Sequence, residues 1–182
     1  IGAAGLETNF RAPRPVREES SSKLRIPNAR RSFYLRWAMQ AGFTDDEIYE
    51  ASAVDYWFLK EIRELVELEA KIVDFAMANS MDAFNTDGSL NAELKNLFSE
   101  AKEAGFSDKQ LAEMWKMPEL EVRRLRKLLG IGASYQAILS ATSKEGAVHP
   151  YFYSTYTPLP QAHAPSDKKK IIILGGGPNR IG

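Results

Sequence analysis

Cysteine is absent from all 182 residues, and only two histidines occur. The first absence excludes disulfides, thiol nucleophiles and thiolate metal sites, and it fits a reducing, cytoplasmic compartment. His149 and His163 stand in loop-like sequence with no carboxylates at ligand spacing beside them, so no metal site is expected. Neither sign of charge is in excess: 24 basic and 24 acidic residues cancel. That removes the usual reason for non-specific attraction to nucleic acid or anionic lipid. No apolar run approaches the roughly 20 residues that span a bilayer, and no charged region followed by an apolar one opens the chain as a signal peptide would. A GxSxG nucleophile elbow is missing too. What remains is ordinary globular composition, 44% hydrophobic, long enough to bury one sizeable core.

The organising stretch is Asp55 to Asn79, which lacks Gly and Pro and has a good N-cap in Asp55. At about 100° per residue its apolar side chains, Trp57, Phe58, Leu59, Ile62, Leu65, Val66, Leu68, Ile72, Val73, Phe75 and Ala76, cover an arc of roughly 200°. The spacing predicts a long helix packed by others from more than one side. Glu69 falls near the middle of that arc. It reads either as the partner of an arginine on a neighbouring helix or as a functional carboxylate.

Around this helix a pattern occurs twice. Ala41-Gly42-Phe43-Thr44-Asp45 is matched 63 positions later by Ala104-Gly105-Phe106-Ser107-Asp108. Thr44 with Glu47 and Ser107 with Gln110 read as capping boxes. Ile48 matches Leu111, Val54 matches Met117, Leu59 matches Val122, Ile62 matches Leu125 and Leu65 matches Leu128. The predicted fold is mainly α: a duplicated unit of helix, Gly-Phe, short capped helix and second helix, with a few C-terminal strands. Phe43 and Phe106 are expected to be buried at equivalent places. Asn28 is read as the cap of a first helix over 29–40, Ser89 or Asp87 as the cap of a helix over 90–104, and Pro118 as a first-turn residue.

The ends differ from this pattern. Residues 1–25 carry Pro13, Pro15 and a polar EESSS stretch and read as a connecting segment. Tyr135 to Thr142 and Tyr151 to Tyr156 read as strands. A Pro-rich linker follows, and Lys168 to Lys170 lead into the buried-strand run Ile171 to Leu174. Gly175, Gly176 and Gly177 then form a loop that could approach a phosphate closely. The loop lacks the Walker A Lys-Ser/Thr, and Pro178 departs from GxGxxG, so a tight structural turn is the simpler reading. A lone apolar strand is not a stable end to a protein, so the chain reads as a segment of something longer. Arg123, Arg124, Arg126 and Lys127 form a basic helix that raises the alternative of a helix-turn-helix DNA-binding module. Glu61, Glu64, Glu67 and Glu69 on the matching helix would repel phosphates and make nucleic acid an unlikely partner. A stand-alone nucleotide-binding enzyme would need more strands than the sequence offers.

Tyr153-Ser154-Thr155-Tyr156 and Ile171 to Gly182 (IIILGGGPNRIG) resemble the large subunit of carbamoyl-phosphate synthetase. The helical part is similar to that family's connecting, or oligomerisation, domain, in Tyr56-Trp57-Phe58-Leu59 and in Ala104 to Asp108 before Val122-Arg123 and Leu125-Arg126. Ile1 to Gly5 resembles the tail of the family's first synthetase half. Where the family usually has a strand close to VDTCAAEF, Ile138 to Glu145 read ILSATSKE. The resemblance implies a division into a connecting segment (1–27), a helical oligomerisation-type domain (28–132), a strand and loop linker (133–167), and the first strand and Gly-rich turn of a following pre-ATP-grasp domain (168–182). It implies a parent ligase that makes carbamoyl phosphate from bicarbonate, glutamine-derived ammonia and two ATP, serving arginine or pyrimidine synthesis. ATP and Mg²⁺ would bind outside this segment, so no catalytic residue is carried onto it. The implied partners are the two flanking synthetase halves, the glutaminase small subunit through the parent, and further copies of the chain.

Overall fold

The computed structural model describes residues 22–28, 30–138, 151–157, 167–169 and 171. They group into two compact units, one within residues 1–132 and the other within 133–182. Besides a short helical stretch at 22–24, the described residues of the first form α1 (Arg31–Gln40), α2 (Asp45–Ser52), α3 (Tyr56–Ala78), α4 (Ala92–Glu103), α5 (Asp108–Trp115) and α6 (Glu119–Leu128). The second holds β1 (Ser134–Ile138) and β2 (Tyr151–Thr155), paired antiparallel from Ser134 opposite Thr155 to Ile138 opposite Tyr151. The fold is mainly α, as expected. The first expected strand starts one residue early, at Ser134. Its stretch 139–142, the loop with His149, the linker with His163, and Gly175, Gly176 and Gly177 lie outside the described residues.

The duplication is a backbone repeat. Phe43 N–H donates to Ala38 O and Phe106 N–H to Ala101 O, both at 3.0 Å. Each sits just after a glycine with positive φ, +83° at Gly42 and +92° at Gly105, a region that favours glycine because it has no Cβ. Both capping boxes are complete. Thr44 Oγ1 accepts the Glu47 N–H and Glu47 Oε2 accepts the Thr44 N–H; Ser107 and Gln110 repeat this reciprocal pair. α2 and α5 then end on left-handed residues at matching positions, Ala53 (φ 52°) and Lys116 (φ 53°).

Some boundaries differ from expectation, each for a local reason. Asn28 Oδ1 accepts the Arg30 N–H and shapes the turn before α1, so the helix opens at Arg31 instead. Asp87 and Ser89 bond to each other inside the turn closed by the Phe84–Leu90 bridge. Those bonds from Ser89 hold the Asp87 carboxyl below its ordinary range. Asn91 therefore caps α4, accepting the Leu94 N–H at 3.0 Å. Pro118 is itself the N-cap residue of α6, where its missing N–H costs nothing.

α3 is 23 residues long, about 35 Å at 1.5 Å per residue, and touches α1, α2, α4 and α5. Leu24, Leu35, Ala38, Met39, Phe43, Ile48 and Leu59 form the core of the first copy. In the second, Leu94, Phe98, Ala101, Leu111, Val122 and Leu129 are almost fully buried. Trp115 ties the copies together: its indole N–H donates to Ile72 O of α3 at 3.2 Å. Two expectations fail at the seam and the surface. Phe106 is only half-buried, because its ring lines a cleft between the copies. Trp57 and Phe58, placed on the apolar arc, are 61% and 56% exposed: they stand at the first turn of α3, edge to face with each other at 4.9 Å.

Candidate functional site

Three features of the helical unit could carry function: the seam cleft, a repeated Asp–Arg clamp, and the exposed faces of α3 and α6. The cleft holds about 170 Å³ and is lined by Ile62, Leu65, Val66, Phe106, Met114 and the Arg36–Glu69 pair. That is below the roughly 300–1,000 Å³ usual for small-molecule sites. Arg36 Nε donates to Glu69 Oε2 at 3.1 Å, and Nη2 pairs with Oε1. Both side chains are under a tenth exposed. The bidentate fork answers the question Glu69 raised: its partner is an arginine on the neighbouring helix, and its charge is neutralised inside the fold.

The clamp follows the 63-residue offset. Arg63 donates to Asp45 from Nε (2.8 Å) and Nη2 (2.6 Å), and to Phe43 O (2.9 Å). Arg126, its equivalent, donates through Nε to both Asp108 oxygens (3.1 and 3.0 Å) and through Nη1 to Ile131 O. In the second copy Lys102 takes the place of Met39. Its ammonium donates to Phe106 O at 2.8 Å and to Asp108 Oδ1 at 2.9 Å. Each clamp fixes the start of the short helix against the second helix of its unit. The signal for it was present in the sequence, since Asp45 and Asp108 belong to the quoted repeat, and Arg63 and Arg126 share its spacing.

Burial raises the Asp108 carboxyl pKa, but hydrogen bonds and charge from Lys102 and Arg126 outweigh it and hold the pKa below 3.8. A depressed carboxylate lends stability that is complete above the unfolded value and lost as pH falls through the folded one. Asp108→Ala is therefore expected to destabilise the chain by about 2–3 kcal/mol at pH 7, because it leaves two shielded cations without their acceptor. Asp45→Ala, in a clamp whose side chains are 26% and 34% exposed, should cost about 1 kcal/mol. Urea unfolding at pH 7 checks the order. Repeating it as pH falls below 3.8 should narrow the gap between wild type and Asp108→Ala.

Of the basic helix residues, Arg126 is turned inward to the clamp, whereas Arg123, Arg124 and Lys127 lie exposed on α6. Glu61, Glu64 and Glu67 are exposed on α3. At its N-terminus Tyr49 stacks on Tyr56 at 4.6 Å. The Tyr56 hydroxyl donates to Asp46 at 2.8 Å, a bond that, with burial and nearby charge, pushes its pKa up to about 12. Among the described residues, no three His, Cys, Asp or Glu side chains gather as a metal site would need. No described helix is long and apolar enough to cross a membrane. Lys168 and Lys169 are exposed.

Residues 1–130 match the family described as "Carbamoyl-phosphate synthetase large chain, oligomerisation domain". The chain is 39% identical over its full 182 residues to the carbamoyl phosphate synthase large chain of Archaeoglobus fulgidus, spanning 16% of that protein. It is 42% identical over 159 residues to the "Carbamoyl phosphate synthase arginine-specific large chain, chloroplastic" of Arabidopsis thaliana, covering 87% of this chain and 12% of the relative. A Synechocystis large chain is 40% identical over 168 residues, 92% of this chain and 14% of the relative. None of these findings supports the DNA-binding alternative. The repeated helical unit and the family match over residues 1–130 agree, and the chain belongs to the oligomerisation-domain family of the carbamoyl-phosphate synthetase large chain.

Proposed function

We propose that this chain is a non-catalytic helical brace within a carbamoyl-phosphate synthetase large chain, joining two ATP-grasp halves and offering surface for self-association. The observation that carries the reading is where the charges and aromatics sit. Buried and half-buried charged groups (Arg36 with Glu69, and Lys102 and Arg126 with Asp108) bind one helix to another, while Tyr49, Tyr56, Trp57 and Phe58 face outward. A surface of large aromatics on a rigid scaffold suits docking better than bond-making. In this reading residues 1–27 arrive from one half and residues 133–167 lead on to the next. Residues 168–182, with Gly175 to Gly177, open that second half.

The parent would make carbamoyl phosphate from bicarbonate, glutamine-derived ammonia and two ATP in the cytoplasm. ATP and Mg²⁺ would be held by the synthetase halves, and ammonia would be supplied by a glutaminase small subunit. The test uses the 182-residue chain alone, supplied with ATP, Mg²⁺, bicarbonate and ammonia. Neither ADP nor carbamoyl phosphate should form above a protein-free blank, and turnover of either overturns the reading.

A further inference from the structure

The second helices of the two copies present the same outward face with opposite charge. On α3 that face runs Trp57, Glu61, Glu64, Leu65; 63 residues on, α6 presents Leu120, Arg124, Lys127, Leu128. An apolar residue, two charged ones and a second apolar residue occur at the same spacing in each, on adjacent turns of one helical side. All but Leu65, which is half-buried at the edge of the seam cleft, are exposed, and Trp57, Leu120 and Leu128 are 61%, 76% and 48% exposed. The charges are weakly engaged within the chain. Glu61, Arg123 and Lys127 have no partner among the described residues. Glu64 meets Lys60 at 3.6 Å and Arg124 meets Glu121 at 3.4 Å, both at exposed positions where such pairs add little. A groove with Glu61, Glu64 and Glu67 runs beside the first face, its one cation, Lys71, paired with Glu100 at 2.6 Å. A shallow basic one with Arg123, Arg124 and Lys127 lies over the second.

Resting on the self-association reading above, we propose that the occupant of each face is the opposite face of a second copy of this chain. The acidic α3 stripe of one copy lies on the basic α6 stripe of the other, with Trp57, Leu65, Leu120 and Leu128 excluding water around the charges. Like faces repel, so α3 does not pair with α3 nor α6 with α6. Each chain carries one face of each sign, so a pair of chains can make the contact twice where the two faces close on a two-fold axis, and once where they do not.

The experiment is sedimentation of the 182-residue chain and its charge-reversal variants, with circular dichroism as the check on folding. All four reversed positions are exposed. Wild type should associate at low salt, with Kd rising about tenfold or more toward ~0.5 M NaCl as the charges are screened. E61K/E64K and R124E/K127E should each associate at least about tenfold more weakly. An equimolar mixture of the two, and the chain with all four changes, should regain the loss. If wild type associates and both reversals leave it unchanged, the pairing of these faces is overturned and self-association through another surface stands. If wild type stays monomeric at low salt, self-association itself falls, and this pairing with it.

Discussion

Glu69→Ala should destabilise the helical unit by about 3–5 kcal/mol, because it leaves the Arg36 guanidinium buried without a counter-ion. Arg36 is 4% and Glu69 is 7% exposed, so water replaces the missing carboxylate poorly. The converse change isolates the cause. Replacing both partners, as Arg36→Met with Glu69→Leu, removes the desolvated charges together and should restore stability to within about 1 kcal/mol of wild type or exceed it. Urea denaturation followed by circular dichroism measures all three proteins. A double variant no more stable than Glu69→Ala would mean that the ion pair, rather than the avoidance of a lone charge, supplies the stability.

Phe98→Ala is expected to have a comparable effect, about 3–5 kcal/mol, through cavity formation. Among the described residues, Phe98 is the largest side chain that is fully buried. Its ring meets Trp115 edge to face at 5.1 Å and 73°, and that contact adds to the loss on truncation. Phe106→Ala, at a half-buried ring on the seam, should cost roughly half as much or less. The same urea titration, followed by tryptophan fluorescence, ranks the two. Equal losses would show that the seam ring is as firmly packed as the core ring.

The local chemistry of this fold is written plainly in the chain. Two hydroxyl residues three positions ahead of Glu47 and Gln110 give both capping boxes, and Gly42 and Gly105 give both positive-φ stops. The fate of Glu69 was legible because a carboxylate inside an apolar arc needs a cation, and Arg36 supplies it. What periodicity does not carry is the neighbour that covers a face. Trp57 and Phe58 share the arc of Leu59 yet stand outside the packed part of the helix, and Phe106 repeats Phe43 in sequence but faces a cleft. Helix starts shift where a candidate cap is spent inside the preceding turn, as at Asn28. Asp87 and Ser89 are good caps, but the five-residue turn 85–89, closed by backbone bonds, engages them. The clamps were not foreseen because Asp45 and Arg63 are 18 residues apart, and only the backbone geometry of the repeat brings them together.

The indole bond from Trp115 to Ile72 O has a thermodynamic consequence. A hydrogen bond from the last turn of α5 to the C-terminal third of α3 means that neither repeat owns all of its own walls. Loss of order in one strips the other of an anchoring partner, so the duplicated halves melt as one cooperative block rather than as beads on a string.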